Sequence, residues 1–158
     1  MGSRREQILM TEDEIRDFLS VSIYGTLGTV GQDGYPHQIN MAIGVREDGA
    51  IIMTSYAKAQ KVLNLRRNPL ASMLVEENVG IPYSEFRGVL LRGTVELIED
   101  TQINLEIMHL LRDKMVRKRG EENMSPGVPE ELAPKRVGIV LKPEKVTSWD
   151  HRKLQGVY

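Results

Sequence analysis

The segment from residue 50 to residue 61 reads Ala50-Ile51-Ile52-Met53-Thr54-Ser55-Tyr56-Ala57-Lys58-Ala59-Gln60-Lys61. Its apolar start, residues 50–53, predicts a strand, and its second half predicts the first turns of a helix. If Ser55 is the N-cap of this helix, Lys58 takes the third helical position, where a capping box would have Glu or Gln. Cations are mildly unfavourable there because the N-terminus is the positive end of the helix dipole. Thr54, Ser55, Lys58 and Lys61 therefore predict a site for a phosphate-like anion.

Outward from this segment, the sequence predicts strands that follow one another through tight turns. Residues 22–30 and 35–45 read as strands, and Gly31-Gln32-Asp33-Gly34 between them is typical of a hairpin turn. Further strands are predicted over residues 70–76, 86–98, 137–141 and 145–149, the last two forming a pair or one strand broken at Pro143. Helices are predicted from a capping box at Thr11 to about residue 20, from Ser55 to about residue 67, and from residue 100 or 101, the last with Ile103, Ile107, Leu110, Leu111 and Met115 on its apolar side.

About six strands joined mostly by hairpins predict a mainly β chain with helices, of class β or α+β. A small antiparallel barrel with helices on its outside fits this order, whereas a parallel sheet would need regular β-α-β alternation. We expect a single domain over residues 1–158. Residues 1–10 form an N-terminal extension, and the charged, proline-containing residues 117–135 form a flexible excursion or lid.

Composition narrows the classes of function. The 158 residues are 41% hydrophobic and 27% charged, which is ordinary for one soluble domain. The net charge of −1 gives no field that would favour nucleic acid or an anionic membrane. The chain has no cysteine, no apolar stretch of membrane-spanning length and no apolar signal region, so a cytoplasmic location is expected. The three histidines, His37, His109 and His151, match no compact metal motif, so no metal is predicted.

Several segments together resemble the pyridoxamine 5′-phosphate oxidase-like superfamily, and most closely its flavin/deazaflavin oxidoreductase branch. The resemblance lies in residues 29–36, the lysine-bearing residues 54–69, Arg87-Gly88, residues 92–96 and Ser148-Trp149-Asp150-His151-Arg152-Lys153-Leu154. It implies an antiparallel split β-barrel of the Greek-key, FMN-binding type. It also implies a homodimer that holds two FMN or deazaflavin (coenzyme F-420) molecules in grooves between its subunits.

The same resemblance implies which residues hold the cofactor. The cofactor phosphate would lie against Thr54, Ser55, Lys58 and Lys61, which agrees with the anion site predicted from helix electrostatics. The flavin ring would lie along strand residues that face the groove, namely Gln38, Ile39, Asn40, Ile52 and Met53. Gln38 and Asn40 share one strand face, where their amides could bind the ring edge or face solvent. Trp149 would wall the ring or pack in the core or dimer interface.

The expected function is that of a flavin-dependent oxidoreductase that transfers a hydride to or from a small organic substrate, with no catalytic side chain assigned. FMN is the first expectation for the cofactor and coenzyme F-420 the second, with Arg87 and Arg92 available for the acidic tail of F-420. The alternatives are a flavin- or haem-binding protein without enzymatic activity, in which His151 would contact haem, and a true pyridoxamine 5′-phosphate oxidase. The C-terminal residues 150–158 lack the arginine–histidine arrangement with which true oxidases hold pyridoxal phosphate.

Overall fold

The computed structural model describes residues 3–128 and 130–156. Within them lie four α-helices and seven strands, one strand more than predicted. The helices are α1 (Arg4–Gln7), α2 (Glu12–Val21), α3 (Gln60–Arg67) and α4 (Thr101–Arg119). The strands are β1 (Tyr24–Val30), β2 (Pro36–Ala42), β3 (Gly44–Val45), β4 (Ile51–Tyr56), β5 (Leu70–Glu77), β6 (Arg87–Ile98) and β7 (Arg136–Asp150).

The strands form one antiparallel sheet in the order β2-β1-β5-β6-β7-β4-β3. Four strands separate β2 from β4 in this order, yet the two strands contact each other. The sheet is therefore curled into a half-barrel whose open seam lies between β2 and β4. This architecture confirms the predicted antiparallel split barrel.

The β1–β2 hairpin forms as the turn residues predict. Val30 pairs with Pro36 across the turn, and the Gly31 N–H donates to the Tyr35 carbonyl at 2.8 Å. Gly34 has a φ of 84°, which costs an L side chain energy and glycine little. Pro36 is tolerated because it is the first residue of an edge strand.

The core lies inside the curl, where alternate residues of the strands meet. Its fully buried side chains come from β1, β4, β5, β6 and β7 and from the inner face of α3. They include Leu27, Ile51, Met53, Met73, Val75, Val89, Leu91, Val137, Ile139, Leu141 and Val62.

The two longest strands, β6 and β7, pair along their full length around one bulge. The register shifts between Arg92 and Gly93, and β7 continues through Pro143 as one strand. A Cβ on Gly93 would lie 1.9 Å from the Lys142 carbonyl oxygen, so only glycine fits at this point of the bulge.

The junction between β4 and α3 differs from the prediction. β4 continues to Tyr56 because its backbone pairs with β7, Ser55 opposite Val137 and Tyr56 opposite Arg136. The helix therefore begins at Gln60 with Ala59 as its N-cap, and the assignment of Ser55 as N-cap is wrong. Lys58 precedes the helix instead of taking its third position.

Helix α4 has a different buried face from the predicted one. Ile107 and Leu111 are buried as predicted, whereas Ile103 and Leu110 are exposed. Asn104 is buried in their place, because its side-chain amide donates to the carbonyls of Ile98 and Arg136. The helix faces the end of the sheet, so a polar side chain that satisfies strand carbonyls displaces an apolar one.

Two segments at the margins of the domain complete the fold. The predicted excursion, residues 117–135, contains the last turn of α4 and two 3-10 helices, Glu121–Asn123 and Glu130–Lys135; Pro129 lies outside the described residues. The described part of the predicted N-terminal extension (residues 1–10) contacts the end of β7, where the Ile8 carbonyl accepts from the Asp150 N–H and the Met10 N–H donates to Ser148 Oγ. Residues 1, 2, 157 and 158 also lie outside the described part. None of the described helices is both long and apolar enough to span a membrane.

Candidate functional site

A cleft of about 360 Å³ opens at the seam of the half-barrel. Asn40 of β2 stands on one side, and Thr54 and Ser55 of β4 stand on the other. Helix α4 closes one wall with four residues, Met108, Leu111, Arg112 and Met115. Two cations, Lys61 from the first turn of α3 and Arg136 from the start of β7, complete the lining. Four residues predicted for cofactor binding, Asn40, Thr54, Ser55 and Lys61, thus lie together.

Lys61 is half-buried, and its ammonium donates to the hydroxyl of Ser55 at 3.1 Å. Burial lowers the pKa of Lys61 below its ordinary value of 10.5, and the positive charge of Arg136 lowers it further. Both causes disfavour the charged form, because desolvation and a neighbouring cation act in the same direction. An anion in the cleft would counter both effects.

Arg136 was not predicted as a site residue from the sequence, yet its side chain extends from β7 into the same cleft as Lys61. Its Nε donates to Thr54 Oγ1 and one terminal nitrogen donates to the Thr54 carbonyl, both at 3.2 Å. Its guanidinium carbon lies 4.7 Å from the centre of the Tyr56 ring, within the range of a cation–π contact. The sequence signal was the basic residue directly before the apolar run at 137–141, but its place beside Thr54 follows only from the β4–β7 register.

Arg112 is a third cation in the lining that sequence reasoning missed. It forms an ion pair with Glu121 and donates to the Ser125 carbonyl, and the hydrogen bond to Glu121 raises its pKa. Its Nε is buried and has no hydrogen-bond partner in the described residues. A buried donor without a partner costs free energy, and an acceptor that reached it would lower that cost.

The charges in the cleft are unbalanced. No acidic side chain lines it, and within residues 3–128 and 130–156 no ion pair joins Lys61 or Arg136 to a carboxylate. Their hydrogen-bond partners are neutral oxygens of Thr54 and Ser55. Two cations held beside two hydroxyls suit a doubly charged oxyanion.

Lys58 does not join this group. Its side chain is exposed and is not part of the cleft lining, because it precedes the helix on the loop after β4. The geometry of the cleft gives no support to the predicted contact between Lys58 and a phosphate.

The residues predicted to contact the flavin ring lie in different environments. Gln38 is exposed and lines a neighbouring groove on the outer face of the sheet together with Ser72 and Arg92. Ile39 is 39% exposed. The side chains of Ile52 and Met53 are buried, Met53 in the main core, so only the backbone of these two is available to a ligand in this chain.

Trp149 lies at the other end of β7 from Arg136. Its indole covers Gly88 on the paired strand so closely that a Cβ there would meet it at 2.3 Å. His151 follows it, with Nδ1 3.1 Å from the Tyr83 carbonyl oxygen and the two rings edge to face. Among the described residues no group of three or more His, Asp or Glu side chains could hold a metal ion.

Comparison with known proteins places the chain in a family. The family model described as pyridoxamine 5′-phosphate oxidase matches residues 11–150. A conserved hypothetical protein from Mycobacterium tuberculosis is 36% identical, with a TM-score of 0.83 over 99% of this chain and 95% of that one. A structure described as F-420 reductase is 28% identical, with a TM-score of 0.61 over 83% of this chain and 94% of that one.

A third similar structure is the haem storage protein of Vibrio cholerae. It is 18% identical, with a TM-score of 0.62 over 85% of this chain and 92% of that one, a likeness that shows the fold alone. The search of curated proteins gave no match. Because the family model spans most of the chain and the mycobacterial relative matches nearly all of it, the chain belongs to the pyridoxamine 5′-phosphate oxidase family.

Proposed function

We propose that the protein is a flavin-dependent oxidoreductase that binds FMN or coenzyme F-420 at a homodimer interface. It would transfer a hydride to or from a small organic substrate. The observation that carries the proposal is the pair Lys61 and Arg136, which meet at the seam beside two hydroxyls and without an acidic partner in the described residues. FMN carries a doubly charged phosphate monoester that matches these two cations, and the singly charged phosphodiester of F-420 would meet the same pair.

The residues of the cleft match a phosphate in number and in type. Lys61 and Arg136 provide charged donors, and the hydroxyls of Thr54 and Ser55 can turn to donate once the cations bind the anion. Each charge-assisted hydrogen bond of this kind contributes roughly 1.5–3 kcal/mol. Arg112 adds a third positive charge to the lining, although its guanidinium is paired with Glu121.

The flavin ring would extend from the phosphate along β2. Asn40 lines the cleft, and Gln38 lies two residues earlier on the same face of the strand. Their amides can both donate to and accept from the pyrimidine edge of a flavin. Ile39 and the backbone of Ile52 and Met53 stay predicted ring contacts.

A second copy of the chain would complete the site. Trp149 lies at the end of β7 opposite to Arg136 and does not line the cleft of its own subunit. It could therefore contact the flavin ring of a cofactor in the cleft only from the other subunit. A two-fold axis across the open sheet face would bring the Trp149 end of one subunit to the seam of the other. This geometry supports the homodimer that the family resemblance implies.

The choice between the two cofactors depends on the acidic tail of F-420. Arg87 is committed elsewhere, since it pairs with Glu77 at 2.5 Å and its guanidinium lies 4.9 Å from the Phe18 ring centre. Arg92 is exposed in the groove next to Gln38 and is free for an acidic tail as far as the described residues go. The 28% identical structure described as F-420 reductase supports the deazaflavin, whereas the family description supports FMN.

Bound cofactor would supply the hydride chemistry, and the residues of this chain would bind and orient it. Met108, Leu111 and Met115 form an apolar wall that keeps water from one side of the cleft. No acid or base is assigned: apart from the cations, Tyr56 is the one titratable side chain among the described residues that line the cleft, and its ring lies against Arg136.

Purification without added cofactor tests the proposal. We expect a copurified or readily bound ligand whose mass and absorbance identify FMN or F-420, and oxidation of the reduced ligand by an organic acceptor. A Soret band that disappears in His151→Ala would instead identify a haem protein, and formation of pyridoxal 5′-phosphate would identify a true oxidase. Binding of cofactor without turnover with any acceptor would contradict the enzymatic part of the proposal.

A further inference from the structure

A second cavity, of about 410 Å³, lies on a different face of helix α4. Its walls come from the end of α2, from β3 and from the third to fifth turns of α4. The lining residues of α4 are Leu110, Lys114, Arg117 and Lys118, which share no member with the cleft at the seam.

Lys114 is the central polar group of this cavity. Its side chain is half-buried, and its ammonium donates to the carbonyl of Leu19 in the last turn of α2 at 3.1 Å. That contact supplies the positive charge that α2 lacks in its own last turn. An ammonium has three donors, and the described residues give only this one a partner.

All the charged side chains that line the cavity are cations. Arg117 and Lys118 lie beside Lys114, and no acidic side chain lines the cavity. In the part of the chain that the structure describes, no ion pair joins any of the three to a carboxylate. Burial first, and the charge of Arg117 second, lower the pKa of Lys114 to about 8. A bound anion would relieve both causes.

The remainder of the lining is apolar except for Ser20, whose hydroxyl donates to the Asp17 carbonyl. Val21 is 53% exposed and Leu110 is 42% exposed, so both present apolar surface toward the opening. Val45 forms the floor and packs on the main core. An occupant would therefore gain from an apolar body as well as from an anionic head.

We propose that this cavity binds a small organic anion with an apolar body, of the class of medium-chain carboxylates. The carboxylate would accept from the two free donors of Lys114 and from Arg117 and Lys118. The hydrocarbon would cover Val21, Leu110 and Val45. The cavity is separate from the cofactor cleft, so this proposal does not depend on the proposed function.

Calorimetric titration with sodium octanoate, with 1-octanol as the uncharged match, tests the head group. We expect octanoate to bind at least about tenfold more tightly, because the alcohol keeps the apolar contact and loses the charged one. Equal affinity of the two probes, or no octanoate binding, would overturn the proposal.

Two variants test the location. Lys114→Met keeps the apolar stem and should weaken octanoate binding by about tenfold, and Arg117→Gln, at an exposed position, should weaken it by about threefold. Lys142→Met, on an exposed lysine paired with Glu96 and outside the cavity, is the matched control and should change nothing. If Lys114→Met does not fold, the octanoate affinity of Arg117→Gln tests the location of the site. Unchanged octanoate affinity in the folded variants would overturn the assignment.

Discussion

Strand β7 begins at a cation that has no acidic partner among the described residues, and it ends beside a cluster of paired charges. At the end, Arg152 pairs with the buried Asp150 at 2.5 Å, and Lys153 pairs with Glu14 at 2.6 Å. At the start, the side chains of Arg136 and its neighbour Lys61 donate hydrogen bonds only to neutral oxygens in the described residues. Cations of the same kind thus have different surroundings at the two ends of one strand.

The pKa shifts at the two ends follow from this difference. The hydrogen bonds from Arg152 lower the pKa of Asp150, so the pair favours the charged forms. At the other end, burial and Arg136 lower the pKa of Lys61, so the fold alone disfavours the charged form. A fold that keeps an uncompensated cation half-buried bears a cost that a bound anion offsets. The paired end is therefore structural, and the unpaired end is a candidate binding site.

The largest expected effect is the loss of cofactor binding when both unpaired cations are removed. In Lys61→Met with Arg136→Met, two charged contacts of about 1.5–3 kcal/mol each disappear, so the affinity for FMN should fall roughly 100-fold or more. Fluorescence titration measures this fall, and thermal unfolding serves as the check that the domain still folds. A double variant that is folded and binds FMN normally would contradict the assignment of the phosphate site.

At the end of β7, where the charges are paired, a substitution should lower stability and leave FMN binding unchanged. Asp150→Asn should lower the free energy of unfolding by about 2 kcal/mol at pH 7 and leave FMN affinity unchanged. The folded-state pKa of Asp150 lies below its ordinary value of 3.8, so this contribution is present above that pH and is lost as pH falls through the folded-state pKa. Urea unfolding at pH 7 and in acid measures the difference, which should shrink in acid. A variant that instead loses FMN binding at full stability would erase the distinction between the two ends.

A smaller effect should appear in the pH dependence of binding. The phosphate favours the charged form of Lys61, so affinity should fall, by about tenfold, as pH rises through the lowered pKa of that ammonium. Lys61→Arg is the matched control, because a guanidinium stays protonated throughout. If wild type and Lys61→Arg lose affinity in parallel, Lys61 is not the titrating group.

The smallest effect is expected at Lys58. Because its exposed side chain does not line the cleft, Lys58→Ala should change FMN affinity by less than about twofold. The same titration as for the double variant measures it. A loss as large as that of a single Lys61 substitution would return Lys58 to the site and would mean that the loop after β4 moves on binding.

Local signals were enough to predict much of the fold. The capping box joins Thr11 and Glu14 as their spacing predicts, and Asp100 caps α4 by accepting from the Ile103 N–H. The hairpin turn at residues 31–34 also forms as predicted. In each case the partners lie within four residues of one another, so the sequence contains the whole interaction.

The structure differs from the prediction where pairing with a strand far away in the sequence determines the local conformation. Ser55 has the chemistry of an N-cap, but the pairing with Val137 keeps it in β4 and moves the helix start to Gln60. The same register brings Arg136 beside Thr54, a contact between residues far apart in sequence that no local pattern encodes. Asn104 is buried for a similar reason, since its amide satisfies carbonyls of two separate segments.

Paired titrations of FMN and riboflavin, which differ only in the phosphate, test the central claim most directly. FMN should bind the wild-type protein at least about 100-fold more tightly than riboflavin, and this advantage should vanish in the Lys61→Met, Arg136→Met double variant. For the second cofactor the comparison is between F-420 and its riboside, which lacks the acidic tail as well as the phosphate. Equal affinities for the phosphorylated and unphosphorylated forms of both cofactors in the wild type would contradict the claim that the unpaired cations at the seam bind a phosphate.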